Sequence, residues 1–177
     1  MVLKVGDKVI GFNLKGVDGK FYRLEDFKGK RAIAIAFTCN HCPYVKAYED
    51  RMIAIQRDYE SKGFQLIAIN SNDDKKYPED SFENMVIRAK KKGFNFPYLR
   101  DETQKVVSSY GAQVTPEIFL LDENFIVRYH GAIDDNYSDP KKVKRHYLRE
   151  AIEALLSNKK VPIEETRAIG CTIKWLG

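Results

Sequence analysis

Nowhere does the chain hold the run of about 18 apolar residues that a membrane-crossing helix needs. Its first residues, Met1-Val2-Leu3-Lys4-Val5-Gly6-Asp7-Lys8, lack the apolar stretch of a secretory leader. These absences lead to the expectation of a cytoplasmic protein with no membrane partner. Cysteine and histidine are scarce, at three residues each, and no second Cys/His pair stands at zinc-finger spacing. No metal or other cofactor is therefore expected. No internal repeat, low-complexity tract or composition break marks a second domain. Residues 1–177 read as one domain, with a core over 5–157 and a tail over 158–177 that packs back on it. The net charge of +5 is spread out. Its local clusters, Lys90-Lys91-Lys92 and Lys141–Arg145, sit beside acidic or apolar residues at helical spacing. They read as solvated helix faces, and no nucleic-acid partner is expected.

What the chain does have is Cys39-Asn40-His41-Cys42, between the strand-like run Ala32–Phe37 and a helix-like run. Two thiols at this spacing can close a small disulfide ring at the entry to a helix. Unsatisfied N–H groups and the helix dipole favour a thiolate there. A lowered pKa makes the first cysteine a nucleophile near neutral pH, and the second can then attack the mixed disulfide. Cys39 is thus expected to be the more exposed and more acidic thiol, with Cys42 resolving. His41 is expected to stabilise the thiolate as an imidazolium.

Strand and helix signals alternate along the chain. Phe12-Asn13-Leu14 and Phe21–Leu24 flank an Asp18-Gly19 turn and predict a hairpin. The continuous apolar runs Ala32–Phe37 and Phe64–Ile69 predict strands buried on both faces. Cys42–Lys62 carries Val45, Tyr48, Met52, Ile55 and Tyr59 at helical spacing. Pro78-Glu79-Asp80 reads as the start of a second helix, which Gly93 closes. Phe96–Leu99 is a short extended piece and Thr103–Tyr110 a short helix. Glu117–Leu121 and Phe125–Tyr129 read as strands, and Val143–Leu156 as the last helix. This order predicts an α/β protein: a central mixed sheet with helices on both faces, an N-terminal β-hairpin extension and a C-terminal tail.

Val114-Thr115-Pro116-Glu117 adds a sharper signal, because proline is tolerated at the first residue of a central strand but not inside it. A proline just before a buried strand, in a chain with a helix-capping Cys-x-x-Cys, resembles the cis-proline of the thioredoxin-like fold. The resemblance implies a cis Thr115–Pro116 bond beside the sulfurs. It also makes Thr115 the residue whose backbone contacts an extended substrate. The chain resembles most the peroxiredoxin-like, AhpC/TSA-related group of this superfamily. Val5-Gly6-Asp7, Phe12-Asn13-Leu14, Asp18-Gly19-Lys20 and Leu24–Lys30 look like its leader hairpin. The piece between Asn72 and Leu99 looks like its characteristic insert.

That resemblance leaves two chemistries to weigh. A peroxiredoxin site resembles Pro-x-x-x-Thr-x-x-Cys-Pro with a distant arginine. Cys42-Pro43 fits its last element, but Cys39 stands where the threonine should, and the arginine's place falls on or next to Pro116. Both helpers of peroxide reduction are replaced by parts of a dithiol oxidoreductase. The leading reading is a thiol–disulfide oxidoreductase acting on a disulfide-bearing protein or small molecule, with a cellular thiol as reductant. The alternative is a peroxidase in which Cys42 is peroxidatic and Cys39 resolves. A third is a metal carrier using the same thiols. Glu117 could serve as a proton acceptor for the pair or point to solvent. His130 is expected to pack at a strand end. Cys171 is a possible third redox thiol. The favoured expectation is instead a buried residue on another face, in a tail held by Ile169, Ile173 and Trp175.

Overall fold

In the computed structural model, which describes all of residues 1–177, the chain runs β1 (Asn13–Gly16), β2 (Phe21–Arg23), β3 (Ala32–Thr38), α1 (Pro43–Tyr59) and β4 (Phe64–Asn70). It continues with α2 (Phe82–Lys92), β5 (Tyr98–Arg100), α3 (Lys105–Tyr110), β6 (Val114–Thr115) and β7 (Glu117–Asp122). β8 (Val127–Gly131), α4 (Tyr147–Leu156) and β9 (Cys171–Thr172) complete it. Seven strands form one mixed sheet in the order β2-β1-β5-β4-β3-β7-β8, and β6 pairs with β9 in a separate ladder.

β3 lies at the centre, parallel to β4 and antiparallel to β7, with Ala36 opposite both Ala68 and Ile118. Every residue of β3 is buried, which is why the strand reads as an unbroken apolar run. Side chains alternate across a strand, so β3 serves two cores. Ala32, Ala34 and Ala36 face α1, α2 and α4, and their small size lets Tyr48, Met52, Ile55 and Leu148 pack close to the sheet. Ile33, Ile35 and Phe37 face the other side, where Phe12, Leu24, Val107, Tyr110 and Ile173 cover them. Helices on both faces and the N-terminal hairpin match the expectation. The hairpin joins the sheet through β1 and β5, with Lys15 opposite Arg100.

Two helix starts differ from the sequence reading. The second helix begins at Phe82, after a 3-10 turn over Pro78–Asp80, because the Ser81 hydroxyl caps it by accepting the Asn84 N–H at 3.2 Å. The last begins at Tyr147 instead of Val143. The Asp135 carboxylate accepts the Lys144 and Arg145 N–H groups at 2.9 and 3.2 Å and holds that segment out of the helix. No helix is long and apolar enough to cross a membrane.

The tail runs as an extended clasp, and its anchors differ from those expected. Ile173 is buried in the core beside β3, whereas Ile169 and Trp175 remain 56% and 41% exposed. The clasp is held by backbone bonds instead: Ile173 N–H to Gln113 O at 3.0 Å and Asp73 N–H to Lys174 O at 2.8 Å.

Candidate active site

β3 delivers the chain to its carboxyl end at Thr38, and a three-residue turn leads to Cys42, the N-cap of α1. Pro43 takes the first helical position, where its fixed φ suits the helix and its missing N–H costs nothing. The turn thus holds Cys42, not Cys39, against the free N–H groups of the helix. Cys39 and Cys42 are only 2% and 1% exposed, and both are free thiols.

Their electrostatics reverse the expected roles. The Cys42 thiol is drawn down to about 4, chiefly by the neighbouring Cys39 thiol. The Cys171 S–H and the Val45 and Cys171 N–H groups help, against the opposing effect of burial. The Cys39 thiol is pushed up by holding its proton toward Cys42, by burial and by the charge of Asp80. The expectation that Cys39 is the more acidic thiol is therefore corrected; both sulfurs are buried. It lies in the turn ahead of the helix, where the Thr115 hydroxyl and the Cys42 N–H favour its thiolate less than burial and the Asp80 charge oppose it.

The Thr115–Pro116 bond is cis. Thr115 touches both sulfurs: its hydroxyl lies 3.5 Å from Cys39 Sγ, and its carbonyl oxygen lies 3.6 Å from Cys42 Sγ, accepting the S–H when Cys42 is protonated. Val114 and Thr115 pair antiparallel with the tail, Thr115 lying opposite Cys171. Cys171 packs against Cys39, Cys42 and Val45, so the expectation of a buried thiol on another face is also corrected. The cause is the β6–β9 ladder, which no periodicity in a two-residue strand can announce. Burial and its bond to Cys42 raise the Cys171 thiol to about 11.

Glu117 neither reaches the dithiol nor points to water. One carboxylate oxygen accepts the Gln113 and Val114 N–H groups at 2.9 and 3.2 Å, and the other meets His130 Nε2 at 2.6 Å. His130 stacks on Phe119 with ring centroids 4.4 Å apart, in keeping with a packed residue at a strand end. The pair braces the loop that carries Thr115 and Pro116.

His41 turns to Asp80, with Nδ1 2.8 Å from Oδ2, and stacks on Tyr77. Asp80, fully buried, is the functional residue that sequence reasoning missed. Its carboxylate accepts the Asn40 N–H at 2.7 Å and the Asn72 and Asn70 amides at 2.9 and 3.3 Å, and so fixes the Cys39–Cys42 turn. Tyr98 donates to Asn40 Oδ1 at 2.7 Å from the opposite side. The three asparagines lie at or just past the ends of β3 and β4, a clustering of amides that is the one sequence signal of such a network. Cys39, His41 and Asp80 have donor atoms within 4.8 Å of one another and form the set that could converge on a metal ion. Asp80 is already committed to the turn.

Residues 5–130 match the AhpC/TSA family. The chain belongs to the AhpC/TSA family. The solved structures of an uncharacterized conserved protein from Geobacillus kaustophilus and a hypothetical protein from Sinorhizobium meliloti both superpose on this family member with TM-scores of 0.94. The first is 41% identical over 99% of this chain and 94% of its own; the second is 35% identical over 100% and 97%. The thiol-disulfide oxidoreductase ResA of Halalkalibacterium halodurans is 27% identical over 128 residues, 72% of this chain and 68% of that protein. The ResA of Geobacillus thermodenitrificans is matched over 64% of its length. Thiol:disulfide interchange proteins of Chlorobium tepidum share the thioredoxin-like fold, with TM-scores of 0.67 and 0.63 at identities of 24% and 20%. With this fold, a paired dithiol and relatives of this kind, the AhpC/TSA family member is an oxidoreductase acting through thiols.

Proposed function

We propose that this chain is a thiol–disulfide oxidoreductase whose attacking group is the Cys42 thiolate, acting on a disulfide-bearing protein or small molecule. The carrying observation is the position of Cys42: N-cap of a 17-residue helix, beside a cis-proline, with the Cys39 thiol packed against it. The thiolate attacks one substrate sulfur and expels the other as a thiolate. A second thiol of the enzyme then attacks Cys42 Sγ, releases the reduced product and leaves an enzyme disulfide. A cellular thiol reductant restores the dithiol. Thr115 and cis-Pro116 form the wall against which an extended substrate lies, and the Glu117–His130 pair holds that wall.

Peroxide reduction is the second reading, favoured by family membership and by the Cys42-Pro43 step at the helix entry. Cys42 would become a sulfenic acid and Cys39 would resolve it. Against it, Cys39 occupies the place of the threonine, and the place of the arginine that would orient a peroxide falls on or next to Pro116. Arg100, the buried arginine near the insert, is tied to the Asn70 and Asn72 carbonyls at 3.3 and 2.8 Å.

Mass spectrometry of wild-type, Cys39→Ser and Cys42→Ser proteins separates the readings. Each is exposed to stoichiometric peroxide and, in parallel, to a small disulfide. Exchange faster than sulfenylation, and lost only with Cys42, supports the first. Sulfenylation of Cys42 faster than exchange replaces it with the second.

A further inference from the structure

The tail closes over the dithiol with a cysteine at the point of contact. Its strand pairs with Val114–Thr115, the same backbone edge that the cis-proline leaves for an extended substrate. Gly170, one residue ahead of Cys171, rests directly on the Thr115–Pro116 peptide. A Cβ there would stand 2.0 Å from Thr115 O and 2.6 Å from its carbonyl carbon, so only glycine allows this seat. Beyond Cys171 the Ile173 side chain is buried in the core, and the Lys174 N–H donates to Asn72 Oδ1 at 2.9 Å. The cysteine is thus pinned on both sides rather than carried on a loose end. Half-exposed itself, it packs against the buried Cys39–Cys42–Val45 cluster. Cys39 Sγ lies against the Thr115 hydroxyl, at 3.5 Å.

We propose that β9 is a built-in occupant of the substrate groove and that Cys171 is the resolving thiol, closing a Cys42–Cys171 disulfide in each turnover. The inference rests on Cys42 as the attacking group and names its second thiol. Cys42–S⁻ attacks R–S–S–R′ to give Cys42–S–S–R, and R′–S⁻ departs with the electron pair. The Cys171 thiol gives its proton to a departing thiolate or to water and attacks Cys42 Sγ. The Cys42–S–R bond breaks and R–S⁻ leaves. The substrate disulfide has gained two electrons, the enzyme dithiol has lost them, and an external thiol returns them. While R occupies Cys42 the tail shifts along the groove, and its strand reseats as product leaves.

The test uses the full-length chain with a dithiobis-nitrobenzoate disulfide, whose released thiolate is yellow. Wild-type, Cys171→Ser and Gly170→Ala proteins are followed by absorbance, and the products by non-reducing peptide mass spectrometry. Wild-type protein releases one equivalent as Cys42 attacks and a second as the mixed disulfide resolves, leaving a Cys42–Cys171 peptide. In Cys171→Ser the first equivalent is still released. The second slows by about tenfold or more, because an intramolecular attacker has been removed. Gly170→Ala, which keeps the thiol but lifts the strand, gives the same stall. A wild-type product linked only as Cys39–Cys42, with normal second release in Cys171→Ser, overturns the inference and leaves the Cys42 reading intact. A wild-type protein with no first release overturns both.

Discussion

Cys42 owes its acidity to its neighbours, and the nearest is Cys39. Replacing Cys39 by alanine removes that thiol, so the Cys42 pKa should rise from about 4 toward the ordinary thiol value near ~8.5. Alkylation rate against pH, read by mass spectrometry, checks this: a wild-type profile flat above about pH 6, and a Cys39→Ala profile still climbing at neutral pH. The same shift bears on stability. The folded pKa lies below the unfolded one, so the Cys42 charge stabilises the fold fully above about pH 8.5. That contribution falls away as pH drops toward 4. The raised Cys39 and Cys171 thiols oppose it only where unfolded thiols ionise, at the alkaline end. Asp80 acts through geometry. Asp80→Ala strands the Asn40 N–H and two amides, at about 1–3 kcal/mol per buried group left unpaired, and should lower the urea midpoint measurably. At this scale the thiols and Pro116 were legible because each has a local signature. Asp80 was not, since its partners lie up to 40 residues away and a Pro-Glu-Asp triplet reads locally as a helix start.

The buried strands and the long helix were readable as elements because one physical rule governs each: an apolar run for β3 and β4, a 3.6-residue period for α1. Where side chains of distant segments capture backbone N–H groups, as Asp135 does ahead of α4, local pattern misplaces the boundary. The tail is the strongest case. Its apolar residues pointed to a clasp through Ile169 and Trp175, but backbone pairing and Ile173 carry it. Ile173→Ala should cost about 2–5 kcal/mol if the local structure stays folded around the cavity. Because the tail can peel off alone, the expected outcome is early proteolytic cleavage after the tail lysines, with little change in the global unfolding midpoint. A global midpoint that falls in step with tail cleavage would mean that the clasp and the sheet unfold together.

Across the molecule, the two-sided burial of β3 couples the cores. A substitution at Ile35 is felt at Phe119 across the β3–β7 ladder and in the cover from the leader hairpin. Ile35→Val should cost about 0.5–1.5 kcal/mol. In a chain of this size each kcal/mol lowers Tm by about 2–4 °C. Calorimetry would show this as a single shifted transition. The layer order followed from the alternation of strand and helix signals. The convergence of three thiols did not, because it depends on a chain end returning across the sheet to meet a loop more than fifty residues earlier.

That return has a kinetic meaning for partners. A tethered strand competes for its groove at an effective concentration on the order of millimolar. A free peptide that pairs weakly with Val114–Thr115 is therefore held off at cellular abundance, however well its cysteine is placed. Entry favours compact disulfides that slip past the strand, or protein partners whose wider surface offsets the displacement. On the proposed role of β9, selectivity is then set by the leash length from α4 to Cys171 as much as by the chemistry of the thiols.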